Sequence, residues 1–115
     1  MNYMYGNFSQ KQISETKQKI QKKIFFLLLL VDPKTKENYP NVDINQAYDS
    51  LLHRLGGLNT VLGEPQELVT IISLLQEAVN IYNAKDFNFA TYRKLILDAG
   101  SEIMKLKEVS EDANI

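Results

Sequence analysis

The 115-residue chain contains no cysteine, so neither a disulfide framework nor a thiolate metal site can form. That suits a reducing cytoplasm. It has a single histidine, His53, and no Glu-x-x-His pair of the kind that builds metal centres inside helical bundles. Gly-x-Ser-x-Gly is missing, and Gly56-Gly57 leads into Leu58, without the lysine and helix start of a phosphate-cradling loop. An excess of charge is lacking too: the net charge is −1 and the pI 5.8, which gives no overall signature of a polyanion-binding protein. Long apolar runs are equally scarce. The most apolar stretch, Ile24 to Val31, is eight residues. As a helix at ~1.5 Å per residue it covers about 12 Å, against a hydrocarbon core of about 30 Å, so it cannot cross a bilayer. The start, Met1 to Asn7, has no basic segment leading into an apolar core as a signal peptide would. These absences lead to the expectation of an intracellular, soluble protein with no catalytic residue, cofactor or metal.

What is present is ordinary globular composition, 44% apolar and 23% charged, in a length suited to one domain covering 1–115. The ends, 1–7 and 110–115, are expected to fray. The clearest signal is a hairpin from Pro65 to about Val109. Its first arm places Leu68, Ile71, Ile72, Leu75, Val79 and Tyr82 on one stripe. Its second arm does the same with Tyr92, Leu95, Ile96, Ala99, Ile103 and Leu106. Spacings of three and four predict helices, not strands. The short link between the arms makes them antiparallel neighbours.

Upstream, Ile13, Ile20, Ile24, Leu27, Leu28 and Val31 share a helical face, capped by Asn7 or Ser9 and ended by Asp32-Pro33. Lys17 falls beside that face, where its stem can lie along the core edge with the amine in water. Another helix carries Ile44, Ala47, Tyr48, Leu51, Leu52 and Leu55, with Asn41 or Asp43 as cap and Gly56-Gly57 as the expected stop. Leu58 to Gly63 then reads as an apolar loop folded over one end of the bundle. Pro65 is expected at the first position of the following helix, and Phe89 as the apolar staple of the last one. Gly100, inside that last helix, reads either as a close helix approach or as a mere weak spot costing about 1 kcal/mol relative to alanine. Four amphipathic helices with short or moderate links predict an all-α, antiparallel four-helix bundle.

Charge is unevenly spread. Residues 1–31 carry five lysines against Glu15, whereas the remainder carries eight basic and thirteen acidic residues. On the first helix, Phe26 and Leu29 point away from the core stripe, toward the side of Lys11, Lys19 and Lys22. Either another helix or the N-terminal segment covers this side, or a basic-then-aromatic surface meets a membrane protein or the lipid surface. A small chorismate-mutase-like bundle would need several cations aimed inward, and the two arginines, Arg54 and Arg93, both read as outward. His53, Glu64, Glu67, Asp98 and Glu102 read as solvated. No nucleic-acid-reading helix accompanies Lys17 to Lys23.

The run Leu68-Val69, Tyr82, Phe89-Ala90-Thr91-Tyr92, Leu95-Ile96 and Ser101-Glu102-Ile103 resembles the C-terminal half of immunity proteins for pediocin-like (class IIa) bacteriocins, most closely the enterocin A immunity type. Asp32-Pro33-Lys34, followed by Tyr48, Leu51, Leu52 and Leu55, resembles that family's passage from its first helix to its second. The likeness covers about residues 10–107. It implies a cytoplasmic four-helix bundle that acts at the inner face of the membrane in lactic acid bacteria or streptococci. There it would engage the mannose-type phosphotransferase permease once bacteriocin has bound, conferring antimicrobial resistance as a monomer or weak dimer. Ala90 departs from the small hydroxyl residue frequent in the family, leaving Asn88 or Thr91 to cap the last helix. Candidate contact residues are Phe26, Leu29, Lys94, Lys105, Lys107 and Glu108. The alternative expectation is a generic helical adaptor or regulatory module that binds a protein without enzymatic activity.

Overall fold

The helical stripes become four α-helices in the computed structural model, which describes residues 2–3, 6–7 and 10–106. They are α1 (Gln10–Leu29), α2 (Ile44–Val61), α3 (Gln66–Asn83) and α4 (Phe89–Ile103), together an all-α four-helix bundle. Ahead of α1, in the segment expected to fray, β1 (Asn2–Tyr3) and β2 (Gly6–Asn7) pair antiparallel. The proposed Ser9 cap, the Asn7 and Ile13 side chains, the expected helix end at Val109 and the tail 110–115 lie outside the described residues.

The core forms where the four stripes meet. It takes Ile20, Ile24, Leu27, Leu30 and Val31 from α1 and its end, Tyr48, Leu51 and Leu55 from α2, Leu68, Ile71, Leu75 and Ala78 from α3, and Tyr92, Ile96, Ala99 and Ile103 from α4. Each fully buried Leu or Ile contributes about 1.5–3 kcal/mol before chain entropy is set against it. α4 packs extensively on both α3 and α1, and α2 packs on α3, while α1 and α2 touch sparsely. The ring of helices is therefore loosest along one seam.

Helix ends account for most departures from the sequence reading. α2 runs straight through Gly56-Gly57 to Val61. Leu51, Leu55, Leu58 and Leu62 continue one stripe across the glycines, and Leu58 and Leu62 pack on the core, so tertiary burial overrides a helix cost of about 1 kcal/mol per glycine. The stop is Gly63, whose φ of 80° opens a left-handed cap. There Glu64 N–H donates to Asn59 O at 2.8 Å and Gly63 N–H to Thr60 O at 3.3 Å, the paired bonds of a glycine-terminated helix. Substituting Ala at both 56 and 57, where an added Cβ meets nothing within 4 Å, is expected to stabilise the protein by about 1 kcal/mol per site, read as a higher urea midpoint.

Pro65 is the N-cap of α3, not its first residue. At α4 the Asn88 side chain accepts from Thr91 N–H at 3.1 Å, which makes Phe89 the first helical residue. The residue before the cap is then Phe87, and it meets Tyr92 edge-on at 5.8 Å. Phe87 is thus the staple in place of Phe89. Asp43 caps α2 through Gln46 N–H.

Gly100 is a point of close approach, one of the two readings of its position. The Phe25 ring of α1 lies over it, and a Cβ there would overlap Cε1 of that ring. Two further α1 side chains satisfy carbonyls at the end of α4. Gln21 Nε2 donates to Gly100 O at 3.0 Å, and Lys17 Nζ donates to Leu106 O at 2.7 Å. Lys17 is buried, so its amine does not reach bulk water as expected. A carbonyl left without a helical partner takes up the cation instead.

Candidate functional site

The second half of α1 places its apolar side chains in three environments. Leu27 is buried in the core, Phe25 covers Gly100, Phe26 looks toward α2, and Leu29 is at the surface. Phe26 is half-buried, with Tyr39 edge-on at 5.0 Å and 83°. Tyr39 reaches it because Thr35 Oγ1 donates to Leu29 O at 2.7 Å, and a 3₁₀ turn at Lys36–Asn38 follows. The linker after α1 therefore covers Phe26 in part, in place of the other helix or N-terminal segment expected from the sequence. Leu29 is 37% exposed.

Because α1 and α2 touch so little, a groove of about 810 Å³ opens between them. Its floor is apolar: Phe26 and Leu27 from α1, Ala47 and Leu51 from α2. Leu27 and Leu51 are almost inaccessible, so the floor is recessed. The rim is basic on both sides, with Lys22 and Lys23 on one wall and His53 and Arg54 on the other, all exposed. No carboxylate lines it among the described residues. In the sequence these four basic residues form two adjacent pairs, Lys22-Lys23 and His53-Arg54, thirty residues apart. Each pair lies next to an apolar position of its own helix, but that the pairs face one another depends on which helices stand apart.

The other candidate residues do not gather here. Lys94 is paired with Asp98 one turn on, at 3.2 Å, and Lys105 with Glu102 at 3.2 Å, both on the surface of α4 and its end. Such pairs are worth a few tenths of a kcal/mol. Leu106 lies against Lys17, so Lys105 stands near that level of α1. Leu29 is twelve residues further along, about 18 Å at ~1.5 Å per residue. Lys107 and Glu108 lie outside the described residues. Arg54 and Arg93 are both exposed and do not point into the bundle. Among the described residues no group of three or more His, Asp or Glu converges as a metal site would require.

Comparison with protein-family models, curated proteins and solved structures gives no match. No helix among the described residues is long and apolar enough to cross a membrane.

Beneath the groove lies a polar tie. Tyr48 O–H donates to Tyr92 Oη at 2.7 Å, and Tyr92 O–H donates to Leu27 O at 2.8 Å. Val31 N–H bonds Leu28 O, so the Leu27 carbonyl is free to accept the phenol. Burial pushes the Tyr92 phenol up to about 12. Tyr48 is pushed higher, by burial first and then by the neighbouring Tyr92 oxygen. Both phenols stay protonated at neutral pH and serve as fixed hydrogen-bond donors. The tie joins α2, α4 and α1 directly behind the groove floor.

Proposed function

We propose that this protein is a bacteriocin immunity protein of the pediocin-like type. It protects a cell by binding, from the cytoplasmic side, the mannose-type sugar permease that bacteriocin has occupied. The observation carrying this reading is the α3–α4 hairpin. Its Tyr82, Phe87, Phe89 and Tyr92 rings pack as one cluster, with centroids 5.8 to 6.5 Å apart, around residues that resemble the family's C-terminal half. The four-helix bundle is the architecture that resemblance implies. A rigid helical body of this kind needs no bond-making chemistry. It needs a surface with a few anchoring side chains, and Phe26 and Leu29 supply apolar ones beside the basic residues of α1. Lys94, Lys105, Lys107 and Glu108 are the proposed polar contacts on and beyond the end of α4.

The test is expression in a bacteriocin-sensitive lactic-acid strain followed by challenge with a panel of class IIa peptides. The wild type is expected to protect against at least one. Leu29→Ser, at a position 37% exposed, should fold normally, with a loss of stability of no more than about 1 kcal/mol, and should lose most of the protection. Phe26→Ser should lose protection as well as its ring contact with Tyr39. Failure of the wild type against every peptide overturns the immunity reading. Full protection by the double serine variant removes these two residues from the contact surface.

A further inference from the structure

The groove between α1 and α2 shares Phe26 with the surface proposed for immunity, but its facing basic walls have a chemistry of their own. We infer that it is a binding site for a single anionic amphiphile, a carboxylate or phosphate head on an alkyl body. The head would sit between Lys22 and Lys23 of one wall and His53 and Arg54 of the other, with the alkyl chain on the apolar floor.

Three observations converge on that ligand. The groove volume, about 810 Å³, falls in the range of small-ligand clefts, about 300–1,000 Å³. The floor is apolar while the rim supplies ammonium, guanidinium and imidazole donors, so both ends of an amphiphile find a complement. Finally, the positive charge is local: the whole chain carries −1, and no carboxylate neutralises this rim among the described residues. Guanidinium is suited to clamp a planar carboxylate or a phosphate with two parallel bonds, and the lysines add point charge. The shape argues against two competing partners. A flat headgroup plane would meet the rim but not a floor whose Leu27 and Leu51 are 2% and 5% exposed. A polyanion such as nucleic acid would use the cations and leave the apolar floor uncovered.

The probe is dodecyl phosphate below its micelle concentration, with dodecyltrimethylammonium and dodecyl maltoside as tail-matched controls. Binding is read by calorimetry and by backbone amide shifts of the full chain. Dodecyl phosphate is expected to bind at least tenfold more tightly than either control, with shifts confined to residues 22–27 and 47–54. The paired charge reversal Lys22→Glu with Arg54→Glu, both on exposed side chains, should weaken binding at least tenfold while helicity is unchanged. Ala47→Leu, which fills the floor without altering charge, should weaken it independently. Equal affinity for the cationic control, shifts elsewhere in the bundle, or undiminished binding by the charge-reversed variant would each overturn the inference. So would binding to phosphatidylglycerol vesicles or to a DNA oligonucleotide without binding of monomeric dodecyl phosphate. The cell-protection assay reads the immunity function separately, so either result can stand without the other.

Discussion

Tyr92→Phe is expected to destabilise the bundle by about 2–4 kcal/mol, several times the loss from Tyr48→Phe, although each change removes one buried oxygen. The asymmetry follows from the direction of the hydrogen-bond chain. The Leu27 carbonyl can only accept, so the Tyr92 proton must point to it at 2.8 Å, and Tyr48 must donate to the Tyr92 oxygen at 2.7 Å. Removing the Tyr92 hydroxyl therefore orphans two groups, the Tyr48 O–H and the Leu27 carbonyl, both in the core. A buried unpaired polar group costs about 1–3 kcal/mol. Removing the Tyr48 hydroxyl orphans nothing, because Tyr92 still donates to Leu27, and the loss is about 1 kcal/mol. The double phenylalanine variant should be less destabilised than the sum of the singles, since no Tyr48 proton then remains without an acceptor. Urea unfolding of the four proteins, at unchanged slope, checks this. Equal losses for the two single variants would mean that the chain does not run in this direction.

The polar tie was hidden in the sequence for the same reason that its effect is large. Tyr48 and Tyr92 both stand on apolar stripes, so spacing places them in the core. Nothing in the spacing says that their hydroxyls meet, because that depends on the relative height of two helices 44 residues apart in the chain. The helices themselves were legible, since each stripe repeats at intervals that only a helix brings to one face. The ends were less so. Gly56-Gly57 has the composition of a stop, yet Leu58 and Leu62 keep the stripe going and the burial they gain outweighs the glycines. At α4 one residue decided the outcome: the Asn88 side chain captures Thr91 N–H, and Phe87 takes the staple position from Phe89.

The candidate site divides along the same line. Phe26 and Leu29 were readable as leaving the core stripe, because that is a property of one helix. The basic-rimmed groove was not, because it exists only where α1 and α2 fail to close on each other. Lys17 shows the reverse case. A lysine beside an apolar stripe reads as one whose amine reaches water, and only the position of the α4 end reveals that its amine meets the Leu106 carbonyl.

Alkaline pH should unfold the protein through the same two tyrosines. An ordinary tyrosine loses its proton near pH 10, and the unfolded chain behaves this way. In the folded protein burial raises Tyr92 to about 12 and raises Tyr48 further. A raised pKa on a group that becomes negative means that the folded state holds protons the unfolded state has released. The contribution of these phenols is therefore fully present below pH 10 and declines as pH rises toward and through the folded values. Each phenol lowers stability by about 1.4 kcal/mol per pH unit across that window. Two of them between pH 10 and 12 remove about 5 kcal/mol, which is of the order of the whole stability of a small domain. Helical circular dichroism should thus collapse cooperatively in that interval, and a phenolate absorbance step worth two tyrosines should coincide with it instead of preceding it. In the double phenylalanine variant both the coincident step and the steep fall should shrink. Ionisation of all six tyrosines before any helix is lost would show that the pair is open to solvent and that the tie behind the groove floor does not exist.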